Sequence, residues 1–296
     1  MRILERICSV ELGEHRTVAT CACRPWSVRL AAAVALLSLM IMTVAYLVPL
    51  DVNVQPPASL FLFDSTLFYV LYLTAAYFSA RVFLGCGGSR IILLAGSAAL
   101  ALSASAGTSI LIFFVVGGEA GALLILVLGS LVASIVHLIN AVVTSLKLDE
   151  NTILYNRVSF GLAYGAVLIV IALLVLLVFL GGIPGLSGQS LPLFRAASWA
   201  VVGLCFLAVI AFLAICQQRR SYPLYWYSLA IAMLGLSHLA SLIMLTIGDI
   251  LFWLSEIYGY LGVLFYIIST VVWLADMKSG KLIKKCPLPE ERRTAR

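Results

Sequence analysis

Eight uninterrupted apolar runs dominate this chain, and each is long enough to cross the hydrocarbon of a bilayer. They cover Val28 to Val48, Leu60 to Leu84, Ile91 to Val116, Ala120 to Leu146, Phe160 to Leu180, Ala196 to Cys216, Trp226 to Ile247 and Leu251 to Leu274. A helix needs about 20 apolar residues to span a bilayer core. Within hydrocarbon every backbone N–H and C=O must be paired inside the protein, so only helices and closed barrels can span it. These runs are continuously apolar and lack the in/out alternation of barrel strands, so each is predicted to be a helix. With 63% hydrophobic and 11% charged residues, the chain could not hide its apolar surface in a water-soluble core. The predicted fold class is an all-α integral membrane protein with eight transmembrane helices. The expected organisation is an N-terminal arm over 1–27, a membrane domain over 28–275 and a basic tail over 276–296.

The charges orient this threading. Arg2, Arg6, Arg16, Arg24 and Arg29 precede or open the first span, and Lys278, Lys281, Lys284, Lys285, Arg292, Arg293 and Arg296 follow the last. Arg81 and Arg90, Lys147 and Arg157, and Arg219 and Arg220 fill the loops on the same side, leaving only Arg195 of the 19 basic residues across the membrane. The positive-inside rule then makes both termini cytoplasmic in a multi-pass protein of the cell membrane. Trp26, Trp226 and Trp273 fall at inner boundaries, and Trp199 and Trp253 at outer ones. Asp51, Asp64, Glu119, Asp249 and Glu256 lie in or near outer segments, so the outer face is acidic. Anionic headgroups and topology account for the basic inner face, and no specific nucleic acid is implied.

The first 25 residues are polar and hold no signal-peptide core, so the first span is expected to be an anchor. Six of the seven cysteines fall on the cytoplasmic side and Cys205 within the bilayer, which disfavours structural disulfides. Cys21-x-Cys23 with Cys8, His15 and Cys286 matches no zinc spacing, and no metal site is predicted. No phosphate-binding loop, dinucleotide fingerprint or serine nucleophile motif occurs in a plausible context. The expected connections are short apart from two outer loops, 52–59 and 181–195.

A faint internal duplication runs through the spans. A shift of 134 aligns Ala98, Leu100, Leu102, Ser103 and Ala106 with Ala232, Leu234, Leu236, Ser237 and Ala240, and a shift of 130 aligns Gly129, Leu131 and Val142 with Gly259, Leu261 and Val272. Four spans separate equivalent helices, so a true repeat gives two parallel four-helix halves, an arrangement found in transporters and in other membrane folds.

Polar residues inside spans are costly in hydrocarbon and face protein or water, so they carry whatever chemistry exists. Ser130, Ser134, His137 and Thr144 recur at helical spacing, with Asn140 one turn from the histidine, which predicts an inward polar face on the fourth helix. Ser228, Gly235, His238 and Ser241 form a narrower stripe on the seventh. The ligand- or proton-responsive candidates are therefore His137, Asn140 and His238, with the shallow carboxylates Glu256 and Asp64. No catalytic residue is assigned and no cofactor is predicted. His137 and His238 are also the minimum for bis-imidazole haem ligation. Their depths, roughly 15 and 20 Å from the cytoplasmic boundary at a helical rise of about 1.5 Å, argue against that use. Glycines and small residues on the third and eighth helices are read as close-packing surfaces.

Two stretches carry a family resemblance. "YLTAAYFSARVFLGCGGSRIILLAGSAALALSASAG", with Arg81 closing one span and Ser89-Arg90 opening the next, resembles the multi-pass membrane sensor domains that precede signalling kinases in archaea and bacteria. So does "CQQRRSYPLYWYSLAIAMLGLSHLASLIML" followed by "DILFWLSEIYGYLGVLFYIIS", where Arg219, Arg220 and Ser221 take the loop position. The resemblance covers about two thirds of the chain and transfers no functional residues. It implies a ligand-sensing or partner-binding membrane module. No kinase follows the spans here, so output is expected through a protein partner in the membrane or at the basic face. The alternatives are a transporter or channel subunit, or a structural subunit of a membrane complex.

Overall fold

A computed structural model describes residues 25–48, 58–86, 91–107, 119–146, 156–179, 191–219, 221–243 and 249–278. Eight helices account for nearly all of them: α1 (Pro25–Leu47), α2 (Ala58–Cys86), α3 (Ile91–Gly107), α4 (Glu119–Ser145), α5 (Asn156–Phe179), α6 (Leu191–Arg219), α7 (Tyr222–Ile243) and α8 (Ile250–Lys278). They fall on the eight apolar runs. Six are long and apolar enough to cross a membrane; in α1 and α3 the apolar described parts, Ala33–Leu47 and Ile92–Ala106, are shorter. The cysteine and histidine set at Cys8, His15, Cys21, Cys23 and Cys286 lies outside the described residues, as do 52–57 and 181–190 of the two long loops; residues 58–59 and 191–195, expected in those loops, instead open α2 and α6.

Local chemistry sets the helix ends. Pro25, Pro192 and Pro223 stand at the first or second position of α1, α6 and α7, where no helical partner is lost for want of an N–H. Asp249 caps α8 by accepting the Phe252 N–H at 2.8 Å through its carboxylate. Hydroxyls within the helices bond back to their own backbone, as Thr43 does to Leu39 O at 2.8 Å and Thr74 to Val70 O at 2.7 Å. Both threonines lie on outward-facing parts of their helices, and the back-bond leaves no hydroxyl bare in an apolar medium.

Six helices close a ring in which α2 packs on α3, α3 on α4, α4 on α6, α6 on α7, α7 on α8 and α8 on α2. α5 lies outside against α3, α4 and α2, and α1 outside against α7 and α8. Outward faces are apolar: Leu162, Leu168 and Ile169 of α5 are 66%, 68% and 62% exposed. α1 reaches the bundle through one seam, Ser38, Met42 and Ala45, which the Tyr258 hydroxyl pins by donating to Ser38 O at 2.6 Å. Lipid tails are as apolar as leucine, so association between such helices depends on close packing and interhelical hydrogen bonds. Small residues supply the closeness. Ala99, Leu100, Ala104 and Ala106 of α3 are fully buried, and a side chain at Gly129 of α4 would run into Ala106.

Within the ring, α3 runs antiparallel to α2 and α4, and α7 antiparallel to α6 and α8, while the α4–α6 and α8–α2 pairs are parallel. Late residues of α2, α4 and α8 meet early residues of α3 and α7, as Ser79 meets Leu93, Asn140 meets Ile92 and Ser269 meets Pro223. That end of the bundle also carries Arg81, Arg157, Arg219 and Lys278 at or near helix termini, and is termed the basic end.

Candidate functional site

α4 turns one polar face to the interior along most of its length. Ser130, Ser134, His137, Asn140 and Thr144 are each buried to 4% exposure or less, as their spacing predicts. Ser134 and Thr144 bond back to Ser130 O and Asn140 O. The remaining polar atoms must find partners on other helices, because an unpaired group here has no water to fall back on.

They find them at the basic end. The Asn140 amide nitrogen donates to Ile92 O of α3 at 3.2 Å and to the Tyr227 hydroxyl of α7 at 3.1 Å. The contact with a carbonyl fixes which end of the amide is nitrogen, since the reverse orientation would oppose two acceptors. Tyr227 Oη lies 2.8 Å from His137 Nδ1. Asn140 Nδ2 can only donate, so Nδ1 is the one acceptor within hydrogen-bond distance of the phenolic proton among the described residues; satisfying that proton puts it on Nδ1 and assigns His137 the tautomer protonated on Nε2. The relay therefore runs Asn140 to Tyr227 to His137. Asn140 Oδ1 is buried with no donor among the described residues.

A second relay lies beside the first. The Tyr266 hydroxyl of α8 donates to Ser79 Oγ of α2 at 2.9 Å, and Ser79 donates to Leu93 O of α3 at 3.0 Å. The Tyr227 and Tyr266 rings are 5.6 Å apart, and Phe212 of α6 meets Tyr227 edge-on at 4.8 Å. Both hydroxyls bear on Gly96, where a Cβ would lie 2.7 Å from Tyr266 Oη and 3.0 Å from Tyr227 Oη. Only glycine leaves room for them. Hydrogen bonds thus tie α2, α3, α4, α7 and α8 together within a few turns of the basic end, with α6 in aromatic contact.

Of the residues expected from sequence, the structure unites His137 and Asn140. His238 sits half-buried eleven residues beyond Tyr227 on α7, about 16 Å of helical rise toward the other end, and does not join them. Glu256 is half-buried early in α8, within electrostatic range of the buried Tyr72 of α2. The side chain of Asp64 lies outside the described residues. Cys205 of α6 is 3.3 Å from Ser134 Oγ, on the α4 face one turn above His137. Tyr227, Tyr266, Ser79 and Gly96 were not among the expected site residues. Tyr227 stands in the aromatic run Tyr225-Trp226-Tyr227, which reads as a membrane-interface belt.

No protein-family model, curated protein or solved structure matches the chain. What fold and site define is a class, a protein helical throughout its described residues, with six helices long and apolar enough to cross a membrane and a buried polar relay at one end.

Proposed function

We propose that the chain is a membrane-embedded sensing module that passes the state of its helix bundle to a protein partner at the basic end. The observation that carries this reading is the Asn140–Tyr227–His137 relay. It joins α4 to α7 through one phenol, with Asn140 adding a bond to α3, and α7 enters it six residues after Ser221. Tyr227 lies in the second turn of α7, so the relay bears on the start of that helix. Cys216 Sγ, donating to Ser221 O at 3.1 Å, ties the residue before α7 to α6. Both termini are assigned to the cytoplasm with eight spans, so the partner meets a cytoplasmic surface. The test is purification of the full chain from its host in mild detergent, with mass spectrometry of what accompanies it. A partner whose yield changes with Tyr227→Phe, at constant amounts of folded protein, supports the reading; an accompaniment indifferent to Tyr227 counts against it.

A transporter or channel subunit is the second reading, favoured by a regularity of packing. Advancing each helix by four turns α3 on α4 into α7 on α8, α2 on α3 into α6 on α7, and α4 on α6 into α8 on α2; the outer contacts of α5 with α3 and α4 correspond to those of α1 with α7 and α8, while that of α5 with α2 has no equal between α1 and α6. Together with the alignments at shifts of 134 and 130, this supports two parallel four-helix halves, a plan used by transporters. Gly129 and Gly259 correspond, and each marks a close helix approach. Ion or solute flux in proteoliposomes above that of protein-free vesicles would move this reading to first place.

A further inference from the structure

Within the sensing reading, on which this inference rests, we propose that the ligand registered by the relay is a proton, bound at His137 Nδ1. That nitrogen is an acceptor in the buried state, 2.8 Å from the Tyr227 hydroxyl that donates to it. A proton arriving there confronts one donor with another. The contact can then be kept only if Tyr227 Oη accepts from Nδ1–H and its phenolic proton goes elsewhere.

The relay holds one spare acceptor for it. Asn140 Oδ1 is buried and has no donor among the described residues, and it belongs to the amide already 3.1 Å from Tyr227 through its nitrogen. Turning the amide over presents Oδ1 to the phenol, at the cost of the Nδ2 bond to Ile92 O, and sets two carbonyl oxygens against each other. The proton balance is simple. One proton enters from water and stays on Nδ1, the Nε2 proton is retained, and only hydrogen bonds change. The link between α4 and α3 is what the protonated state gives up.

Charge acts in the same direction. Among the described residues, the titratable side chains turned to this interior are Tyr227 from α7, Tyr266 from α8, Cys205 from α6, Tyr164 from α5 and Tyr72 from α2. All five are uncharged as acids, and His238 of α7 and Glu256 of α8 lie about ten residues along their helices toward the other end. The described residues of α3 include no titratable side chain, and Arg81 of α2 is exposed. An imidazolium here gains no opposite charge from these groups, so the protonated state favours water entering the basic end. The way in is short: Ile92 is the second residue of α3, and Asn140 lies five residues, about 8 Å of rise, from the end of α4.

The experiment is hydrogen exchange by mass spectrometry on the full chain in phosphatidylcholine nanodiscs, at about pH 7.5 and about pH 5 on either side of the ordinary histidine range. Exchange is corrected for the intrinsic pH dependence of amide chemistry, and peptides covering 92–98 and 223–230 are read. Protection in the wild type is expected to fall about tenfold at the lower pH, as local opening becomes easier. His137→Gln accepts the Tyr227 proton but does not titrate, and is expected to keep its protection at both values. His137→Asn serves where the glutamine variant does not fold. Wild-type protection that is equal at both pH values, or a variant that loses as much as the wild type, overturns the proton site. Partner yield that changes with Tyr227→Phe while wild-type protection ignores pH leaves the sensing reading standing and removes the proton. A pH response confined to the wild type, with partner yield indifferent to Tyr227, keeps the proton site and removes the partner.

Discussion

Tyr227 of α7 stands between His137 and Asn140 of α4, 2.8 Å from the ring nitrogen of one and 3.1 Å from the amide nitrogen of the other. One phenol thus satisfies two polar side chains a helical turn apart. Its ring meets Phe212 edge-on and lies beside Tyr266, so it has little freedom to leave.

Removing that hydroxyl strands both partners. Tyr227→Phe leaves Nδ1 of His137 without its donor and one Asn140 N–H without its acceptor, and a buried unsatisfied group costs about 1–3 kcal/mol. Loss of stability within that range is expected in reversible unfolding from detergent micelles, with helix content at the start unchanged. A Tyr227→Phe protein as stable as the wild type would show that the relay contributes nothing to the fold.

Gly96 is under a different constraint from the glycines of α5. Gly96→Ala drives a methyl toward two phenolic oxygens 2.7 and 3.0 Å away, and overpacking of this kind costs about 1–3 kcal/mol. A methyl added at Gly165 would meet nothing within 4 Å, so Gly165→Ala is expected to be neutral or slightly stabilising through the helix preference of alanine. Thermal midpoints of the two variants in one detergent provide the comparison. Equal losses would contradict the peripheral position of α5.

Tyr266 and Ser79 are expected to be energetically coupled. In a cycle of Tyr266→Phe, Ser79→Ala and the double variant, a coupling of about 0.5–1.5 kcal/mol is expected, in line with interhelical hydrogen bonds in membranes. Additive losses would mean that the 2.9 Å contact makes no net contribution.

Cys205 and Cys216 differ in reach. Cys205 is 3% exposed and faces Ser134, whereas Cys216 is only half-buried near the end of α6. In a protein keeping only these two cysteines, maleimide is expected to modify Cys216 first and Cys205 only after unfolding. Early modification of Cys205 would mean that α4 and α6 part in the native state.

The polar face of α4 was legible in the sequence because helical periodicity alone puts Ser130, Ser134, His137 and Thr144 on one side, and the cost of polarity in hydrocarbon says which side is inward. Reading the eight apolar runs as helices rested on equally local physics. Tyr227 was not legible, since a tyrosine near a helix start serves equally well as an interfacial anchor. Gly96 was hidden for the opposite reason, being one small residue among many on α3. The grouping of His137 with His238 as the two intramembrane histidines was compositional; in the fold, about 16 Å of α7 separates His238 from the tyrosine that His137 uses.

The sequence by itself determined that this is a helical protein with segments long and apolar enough to cross a membrane, which runs form its helices and which face of α4 is buried, because these follow from hydrophobic length and a period of 3.6. Only the tertiary structure decided which polar groups meet. The closing of α2, α3, α4, α6, α7 and α8 into a ring depends on helix contacts between residues far apart in the chain, and no periodicity encodes which turn of α7 will face which turn of α4. That register, set by small residues and interhelical hydrogen bonds, is what makes one tyrosine the junction of the site.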